Sequence, residues 1–184
     1  MTILEAHREF KFRLDKMDAL NYPNFLPEEI DLVLNNAQER FIKQRYGVNN
    51  IKRQSFEETQ KRTEDLKNVT INAVLTPLAY ASDNIDLNAR FLTLPTNHWF
   101  TVQERCNITC TICGSSVTNL VEVIPTSHSE FSKVIKDPFK QPTETKVLRL
   151  MEAGRVELIS SCTIVDYRMR YVKQPTPVSI TTNT

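Results

Sequence analysis

The chain has 184 residues, 40% of them hydrophobic and 24% charged, which is the length and composition of a globular protein with a buried core. Its 23 basic and 22 acidic side chains leave a formal net charge of +1, and this balance argues against a surface that binds nucleic acid through clustered Lys and Arg. The three glycines, Gly47, Gly114 and Gly154, lie far apart, which excludes the glycine-rich phosphate loops and dinucleotide fingerprints of nucleotide-binding proteins.

The hydropathy pattern gives no sign of a membrane-spanning or exported segment. No apolar stretch approaches the roughly 20 residues that a membrane-spanning helix needs. Residues 1–10 are charged and amphipathic, and they lack the apolar centre of a secretory signal. We therefore expect a protein without a membrane partner that stays in the cytosol where it is made.

Capping-box patterns predict two helices in the first part of the chain. Thr2 and Glu5 form a Thr-x-x-Glu pattern, and apolar residues follow them at helical spacing. Ser55 and Glu58 repeat the pattern ahead of another helix, which is predicted to run to about Leu66.

A longer helix is predicted between these two. It begins at Pro27, Glu28 and Glu29 follow at the positive end of the helix dipole, and Gly47 marks its end. Together with Asp31 these acids resemble a general acid–base cluster, but stabilisation of the dipole is the favoured interpretation. The apolar stripe predicted for this helix consists of Ile30, Val33 or Leu34, Ala37, Phe41 and Ile42.

The hydrophobic period changes to two residues in the second half. From 100 to 112 the even positions are almost all apolar, which predicts one long half-buried strand. A turn that begins at Gly114 leads into a partner strand over 120–124. A short helix is predicted near 127–135, with Ser127 and Glu130 as its capping box.

Three more strands are predicted towards the end of the chain. Two of them, 146–151 and 155–159, flank the hairpin signal Ala153-Gly154. The last strand covers 163–172, and the prolines at 175 and 177 prevent regular pairing beyond it. We expect one face of the last strand to carry Val165, Tyr167, Met169 and Tyr171, and the other to carry Asp166, Arg168 and Arg170.

These patterns predict an α+β fold with an N-terminal three-helix unit followed by an antiparallel β-sheet with one inserted short helix. We expect the helical unit to cover 1–75, the antiparallel β region 76–174, with the short helix near 127–135, and an extended C-terminal tail 175–184. The tail is polar and β-prone, which favours a protein that joins its neighbours by strand addition.

Cys106-x3-Cys110-x2-Cys113 is the sharpest local pattern. It matches the cysteine spacing of radical enzymes that use S-adenosylmethionine, and with Cys162 or a histidine it would also suit zinc. On a continuous strand, however, Cys106 and Cys110 are separated by about 13 Å, too far for two sulfurs to share one metal. Reduced thiols that pack as small hydrophobes are therefore favoured, and a metal- or iron–sulfur-binding protein is the alternative function.

The histidines His7, His98 and His128 give little support to catalysis. None lies near a serine or cysteine in a nucleophile-like context, and Gly-x-Ser-x-Gly and His-Glu-x-x-His motifs are absent. His98 and His128 are the candidates for a fourth metal ligand. We predict a protein that is not an enzyme and has no cofactor.

Five segments share their order and spacing with a known family. They are 1–10, 27–43, 55–62, 91–95 and 166–175, and the last contains a Tyr-x-Lys-x-Pro motif. Together they cover nearly the whole chain and resemble the head-to-tail connector proteins (portal adaptor or ring proteins) of crAss-like Bacteroidetes podoviruses. The cysteine pattern is not part of this resemblance.

The resemblance implies a structural virion protein at the head-to-tail interface, made in the host cytoplasm during assembly. Its partners would be further copies in a ring of about twelve, the portal protein, other connector, ring or tail proteins, and passing DNA without specific binding. The helical half would form the ring wall, the β half would contact neighbouring rings or tail parts, and the tail would become ordered on a neighbour. The residues expected at interfaces are Pro27, Glu28, Glu29, Arg168, Arg170, Tyr171, Pro175, Val178 and Ile180.

Overall fold

A computed structural model describes residues 2–17, 25–47, 59–78, 85–86, 88–112, 114–152 and 154–180. The chain divides into two compact units. Met1–Asn68 and Pro175–Thr184 form the first, the helical unit, and Val69–Gln174 forms the second, the sheet unit. The sheet unit is therefore an insertion between the helices and the C-terminal segment.

The helical unit contains α1 (Ile3–Met17), α2 (Pro27–Tyr46) and α3 (Gln60–Leu66). The predicted capping box at the start of α1 is confirmed. Thr2 N–H donates to Glu5 Oε2 at 2.7 Å, and Glu5 N–H donates to Thr2 Oγ1 at 3.2 Å. These bonds satisfy two backbone groups that a helix start otherwise leaves without partners.

The predicted limits of α2 are also confirmed, since the helix begins at Pro27 and Gly47 follows its last residue. At its start, Leu26 N–H donates to Glu29 Oε2 at 3.0 Å, so one of the two acids of the first turn closes the end of the helix. No helix in the described part of the chain is long and apolar enough to cross a membrane.

The third helix is shorter in the structure than predicted. It begins at Gln60, after Thr59, and the predicted start at Ser55 lies outside the described residues. Residues 70–75, which we assigned to the helical unit, form a strand instead. The reason is their alternation, because Ile71, Ala73 and Leu75 pack against the core of the sheet.

In the described part of the sheet unit, seven strands form one curled sheet in the order β1-β7-β3-β4-β5-β6-β2. Every neighbouring pair is antiparallel except β4 and β5, which run parallel. The prediction of a wholly antiparallel sheet is wrong at this pair, because α4 (His128–Val134) crosses over between the two strands. The strands are β1 (Thr70–Leu75), β2 (Ala89–Thr93), β3 (His98–Ile112), β4 (Ser115–Pro125), β5 (Lys146–Glu152), β6 (Arg155–Ile159) and β7 (Thr163–Lys173).

The curl of the sheet brings the residues that follow β1 next to β2. Leu78, just beyond β1, donates its N–H to the carbonyl of Phe91 in β2 at 2.8 Å. The inner face encloses the main core, and α4 covers part of the outer face, where Phe131 packs with Leu148 and Leu150. The main core includes Leu92, Cys106, Ile108, Val121, Val123, Val147, Val156, Leu158, Tyr167, Met169 and Tyr171.

The pairing of β3 with β7 contains an irregularity that corrects one prediction. Asn107 pairs with Asp166, but the next pair is Ile108 with Ile164, so Val165 is an extra residue in β7. Such a bulge reverses the alternation locally. Val165 is therefore 45% exposed while Ile164 is 7% exposed, and the prediction that Val165 shares a face with Tyr167, Met169 and Tyr171 is wrong. The prediction that Tyr167, Met169 and Tyr171 share one face is confirmed, and all three are buried.

The turns and the short helix are largely as predicted. Gly114 and Gly154 have φ of 82° and 84°, the left-handed conformation that favours glycine in hairpins. The Ser127 side chain makes no capping bond to α4; its hydroxyl lies 3.1 Å from that of Ser129. The capping box predicted from Ser127 and Glu130 is therefore wrong, although the helix itself is present.

Cys110 and Cys162 form a disulfide with a Cα–Cα distance of 5.0 Å. The prediction of reduced thiols is wrong for these two residues. Thr109 pairs with Thr163, so one step further along the strands Cys110 faces Cys162. The spacing of cysteines within one strand does not show which residues of a second strand lie opposite them. The Cys110–Cys162 pairing therefore could not be predicted from the sequence pattern.

Cys106 is a free cysteine that is fully buried on the inner face of β3. Burial, and then the nearby Asp166, raise the pKa of its thiol to about 12. The sulfur therefore stays protonated at neutral pH and packs as a small hydrophobe, which was the prediction for it. Cys113 lies outside the described residues.

Reduction should destabilise the protein through the Cys110–Cys162 bond. The bond joins residues 52 positions apart, and a loop of this size is worth about 2–4 kcal/mol in free energy of unfolding. Denaturant unfolding with and without a thiol reductant measures this difference. A Cys110→Ala/Cys162→Ala variant is the control and should not respond to the reductant; equal stability of the untreated and reduced native chain would contradict the prediction.

Candidate assembly interface

The described part of the C-terminal tail is held by α2 of the same chain. The Asn35 side chain donates from Nδ2 to the carbonyl of Val178 at 3.0 Å, and Val178 N–H donates to Asn35 Oδ1 at 2.7 Å. One amide side chain thus satisfies both backbone groups of one residue, as a neighbouring strand would. This contact depends on the backbone of Val178 and does not require its side chain.

Asp31, one turn before Asn35 on α2, holds the tail at a second point. Its Oδ2 accepts from Ile180 N–H at 3.0 Å, and its Oδ1 lies 2.7 Å from His7 Nε2. His7 and Asp31 are both buried. The carboxylate therefore joins α1, α2 and the C-terminal segment within the helical unit.

The bonds to Asp31 determine its charge. Burial alone would raise the pKa of this carboxyl, but the hydrogen bonds from Ile180 N–H and His7 lower it below its usual value. At neutral pH the group is therefore an ionised carboxylate that only accepts, so His7 donates to it. Glu28 and Glu29, which we grouped with Asp31, are exposed in the first turn of α2 and take no part in this arrangement.

The sequence contains a weak signal for this site. Asp31 and Asn35 are four residues apart, which places them on one face of the helix. That face also carries Ile30 and Ile42, which are buried. A polar pair among buried apolar residues indicates that its polar atoms have partners, but the sequence does not show that the partner is the tail.

A second face of α2 is apolar and exposed. Leu26, just before the helix, and Val33 and Phe41 within it are 61%, 48% and 42% exposed, and Ala37 is also exposed. Their spacing of seven and four residues places them along one line about 22 Å long. The single stripe predicted from the sequence is therefore two, a buried stripe and this exposed stripe, which we call the α2 stripe.

The remaining interface candidates differ in exposure. Arg168 and Arg170 are exposed on β7; Arg168 Nε donates to Asp166 Oδ1 at 3.1 Å, and Arg170 Nε donates to Asn72 Oδ1 at 3.0 Å. The structure places Tyr171 in the core of the sheet. Pro27 is exposed at the start of α2, Pro175 is buried, and Val178 and Ile180 are half-buried in the tail.

The cysteine and histidine candidates do not come together as a metal site. Among the described residues, no group of three or more His, Cys, Asp or Glu side chains is placed to hold a metal ion. Cys110 and Cys162 are bonded to each other. His98 Nε2 lies 2.9 Å from a threonine hydroxyl, and His128 Nε2 lies 3.1 Å from the carbonyl of Met151. The metal alternative therefore has no support.

A half-buried ion pair lies at the point where β3 and β4 separate. Arg149 of β5 donates to Glu104 of β3 at 2.6 Å, across the gap left because β4 pairs with β3 only as far as Glu122. A cavity of about 630 Å³ opens beside this pair. Burial raises the pKa of Glu104, while Arg149 opposes the shift. The pair joins strands that are not neighbours, which is a structural role.

Comparison with known proteins identifies relatives of the whole chain. It is 30% identical to "Ring protein 3" of Bacteroides phage crAss001 over 165 residues, which are 85% of this chain and 70% of that protein. It is 24% identical to "Ring protein 4/5" of the same phage, in an alignment that covers 100% of this chain and 76% of that protein. The model of a family described as phage tail ring protein 3/4 matches residues 1–184. The resemblance to crAss-like ring proteins is thereby confirmed, and the chain belongs to the phage tail ring protein 3/4 family.

Proposed function

We propose that this protein is a structural component of the virion that forms a ring in the head-to-tail connector, beneath the portal protein, and extends the DNA channel. The observation that carries the proposal is the match of the whole chain to the phage tail ring family, supported by two relatives that are themselves named ring proteins. The protein is then not an enzyme. About twelve copies form the ring during assembly in the host cytoplasm, other ring or tail proteins are its neighbours, and DNA passes without specific binding.

The α2 stripe supports a contact between copies in the helical unit. An exposed line of large apolar side chains is unfavourable in an isolated chain and marks a surface that another protein covers. Fully burying a side chain such as Val33 or Phe41 contributes about 1.5–3 kcal/mol. The same contact repeats around a ring, so a modest affinity at each site is enough for a stable assembly.

The C-terminal segment supports a second kind of contact, an exchange between copies. The hydrogen bonds of Asn35 and Asp31 with the tail involve the backbone groups of Val178 and Ile180 and not their side chains. The tail of a neighbouring copy offers the same backbone groups. Exchange of an identical segment creates the same bonds between chains that existed within one chain. In this mechanism the tail is held by its own α2 in the monomer and by the neighbour's α2 in the ring.

Native mass spectrometry of the full chain, alone and mixed with its portal protein, tests the proposal. We expect a metal-free monomer that converts on the portal to a complex of about twelve copies. A chain that forms no closed oligomer, either alone or with the portal, would contradict the ring. A ring that forms without affinity for the portal would contradict only its proposed position in the connector.

Asn35→Ala should release the C-terminal segment from α2. The substitution removes two hydrogen bonds, each worth about 0.5–1.5 kcal/mol, so the free energy of unfolding should fall by about 1–3 kcal/mol and the Val178 amide should exchange its hydrogen faster. Asn36→Ala, at the exposed neighbouring position, is the matched control and should change neither quantity. Unchanged protection of the Val178 amide in Asn35→Ala would show that the tail is held by other contacts.

Val33→Glu should prevent or weaken ring assembly while the monomer stays folded. Val33 is exposed in the single chain, so the charge costs little there, but burying it against a neighbour is strongly unfavourable. Asn36→Glu adds the same charge to the same helix away from the α2 stripe and should assemble like the native chain. Size-exclusion chromatography with light scattering compares the assembly of the two variants. Equal assembly would show that the α2 stripe is not part of the interface.

A further inference from the structure

The first part of β4 has a free edge. Residues 115–121 pair with β3 on one side, whereas β5 joins the other side only from Glu122 onwards. In the part of the chain that the structure describes, no strand pairs with this second side of 115–121. The segment reads Ser-Ser-Val-Thr-Asn-Leu-Val and has no charge and no proline. It therefore lacks the features that keep exposed strand edges from pairing with other chains.

A second free edge lies on β1, at the end of the sheet. Residues 71–75 pair with β7 and, among the described residues, with no strand on their outer side. This segment, Ile-Asn-Ala-Val-Leu, is also uncharged and free of proline, and Val74 is 62% exposed. At the opposite end of the sheet the edge of β2 receives a bond from Leu78. Among the described residues, β4 and β1 therefore each present an uncharged, proline-free edge segment without a partner strand.

On both edges, every second residue directs its backbone N–H and carbonyl groups away from the sheet, where another strand can pair with them. Antiparallel strands alternate between hydrogen-bonded and non-bonded pairs. Ile112 and Ser115 close the two-residue turn of the β3–β4 hairpin, so Ser116 directs its N–H and carbonyl away from β3, and the groups of 118 and 120 point the same way. Lys173 N–H bonds to the Val69 carbonyl, so by the same alternation Asn72 directs its groups away from β7.

We propose that β4 of one copy pairs with β1 of the next copy, so that one continuous sheet runs around the ring. The inference rests on the proposed function, since the ring supplies the neighbouring copy. The two edges are different surfaces of one chain, and a contact between different surfaces closes into a ring, whereas pairing of β4 with itself stops at a dimer. Ile71, Ala73 and Leu75 of β1 face the core, and the joined sheet keeps its apolar residues on one face.

Proline substitutions test each edge separately. Ser116→Pro and Asn72→Pro each remove one outward N–H and leave the pairing within the chain intact, which is where proline is tolerated in a sheet. Ser116→Ala and Asn72→Ala are the controls, and the second also accounts for the loss of the bond from Arg170 to Asn72. We expect each proline variant to need an at least tenfold higher concentration than the native chain to form rings, and each alanine variant to match it.

Mixing the two proline variants gives the sharpest result. The Asn72→Pro chain keeps an intact β4 edge and the Ser116→Pro chain keeps an intact β1 edge, so together they should form a heterodimer whose single β4–β1 contact cannot be repeated at its outer ends. Native mass spectrometry detects it, and its formation also shows that both variants are folded.

Three other outcomes overturn the inference. Rings at the native concentration from both proline variants would disprove the strand pairing and leave the proposed ring intact. A homodimer of Asn72→Pro alone would show that β4 pairs with itself. A native chain that forms no ring, with or without the portal protein, would overturn both this inference and the proposed function.

Discussion

The pairing of β3 with β7 is the contact on which the rest of the sheet unit depends. β3 has 15 residues and β7 has 11. β1 lies on the β7 side of this pair, and the other four strands lie on the β3 side. The Cys110–Cys162 disulfide joins β3 to the segment that leads into β7, and the bulge at Val165 keeps both Ile164 and Tyr167 facing the core. Lys173 N–H bonds to the carbonyl of Val69, so the sheet unit begins and ends on two adjacent strands. The helices and the C-terminal segment form one unit although they are far apart in sequence.

In the helical unit the corresponding constraint is the carboxylate of Asp31. It is buried and ionised, and it needs donors for both oxygens because an unpaired buried charge is costly. His7 supplies one donor and Ile180 supplies the other. The C-terminal segment is therefore part of the fold of this unit. The proposed exchange between copies would use the same backbone bonds that stabilise the tail in the monomer.

The sequence predicts those features that depend on neighbouring residues. The capping box of Thr2 and Glu5, the start of α2 at Pro27 and the turn at Gly154 are all local, and the two-residue alternation shows β3 and β7 directly. Features that depend on pairing between distant segments were missed. Cys110 meets Cys162 only through the register of two strands, a one-residue bulge exposes Val165, and Asn35 meets Val178 143 positions away. The candidate interface also depends on such distant contacts, and therefore the local sequence pattern does not identify its residues.

The most direct test of the account is an electron cryo-microscopy reconstruction of the isolated ring, because its symmetry shows which surfaces of neighbouring copies meet. The account predicts a closed ring with cyclic symmetry, in which each copy presents one surface to the copy on its left and a different surface to the copy on its right. Particles built from two-fold dimers, in which the same surface occurs on both sides of every contact, would contradict it.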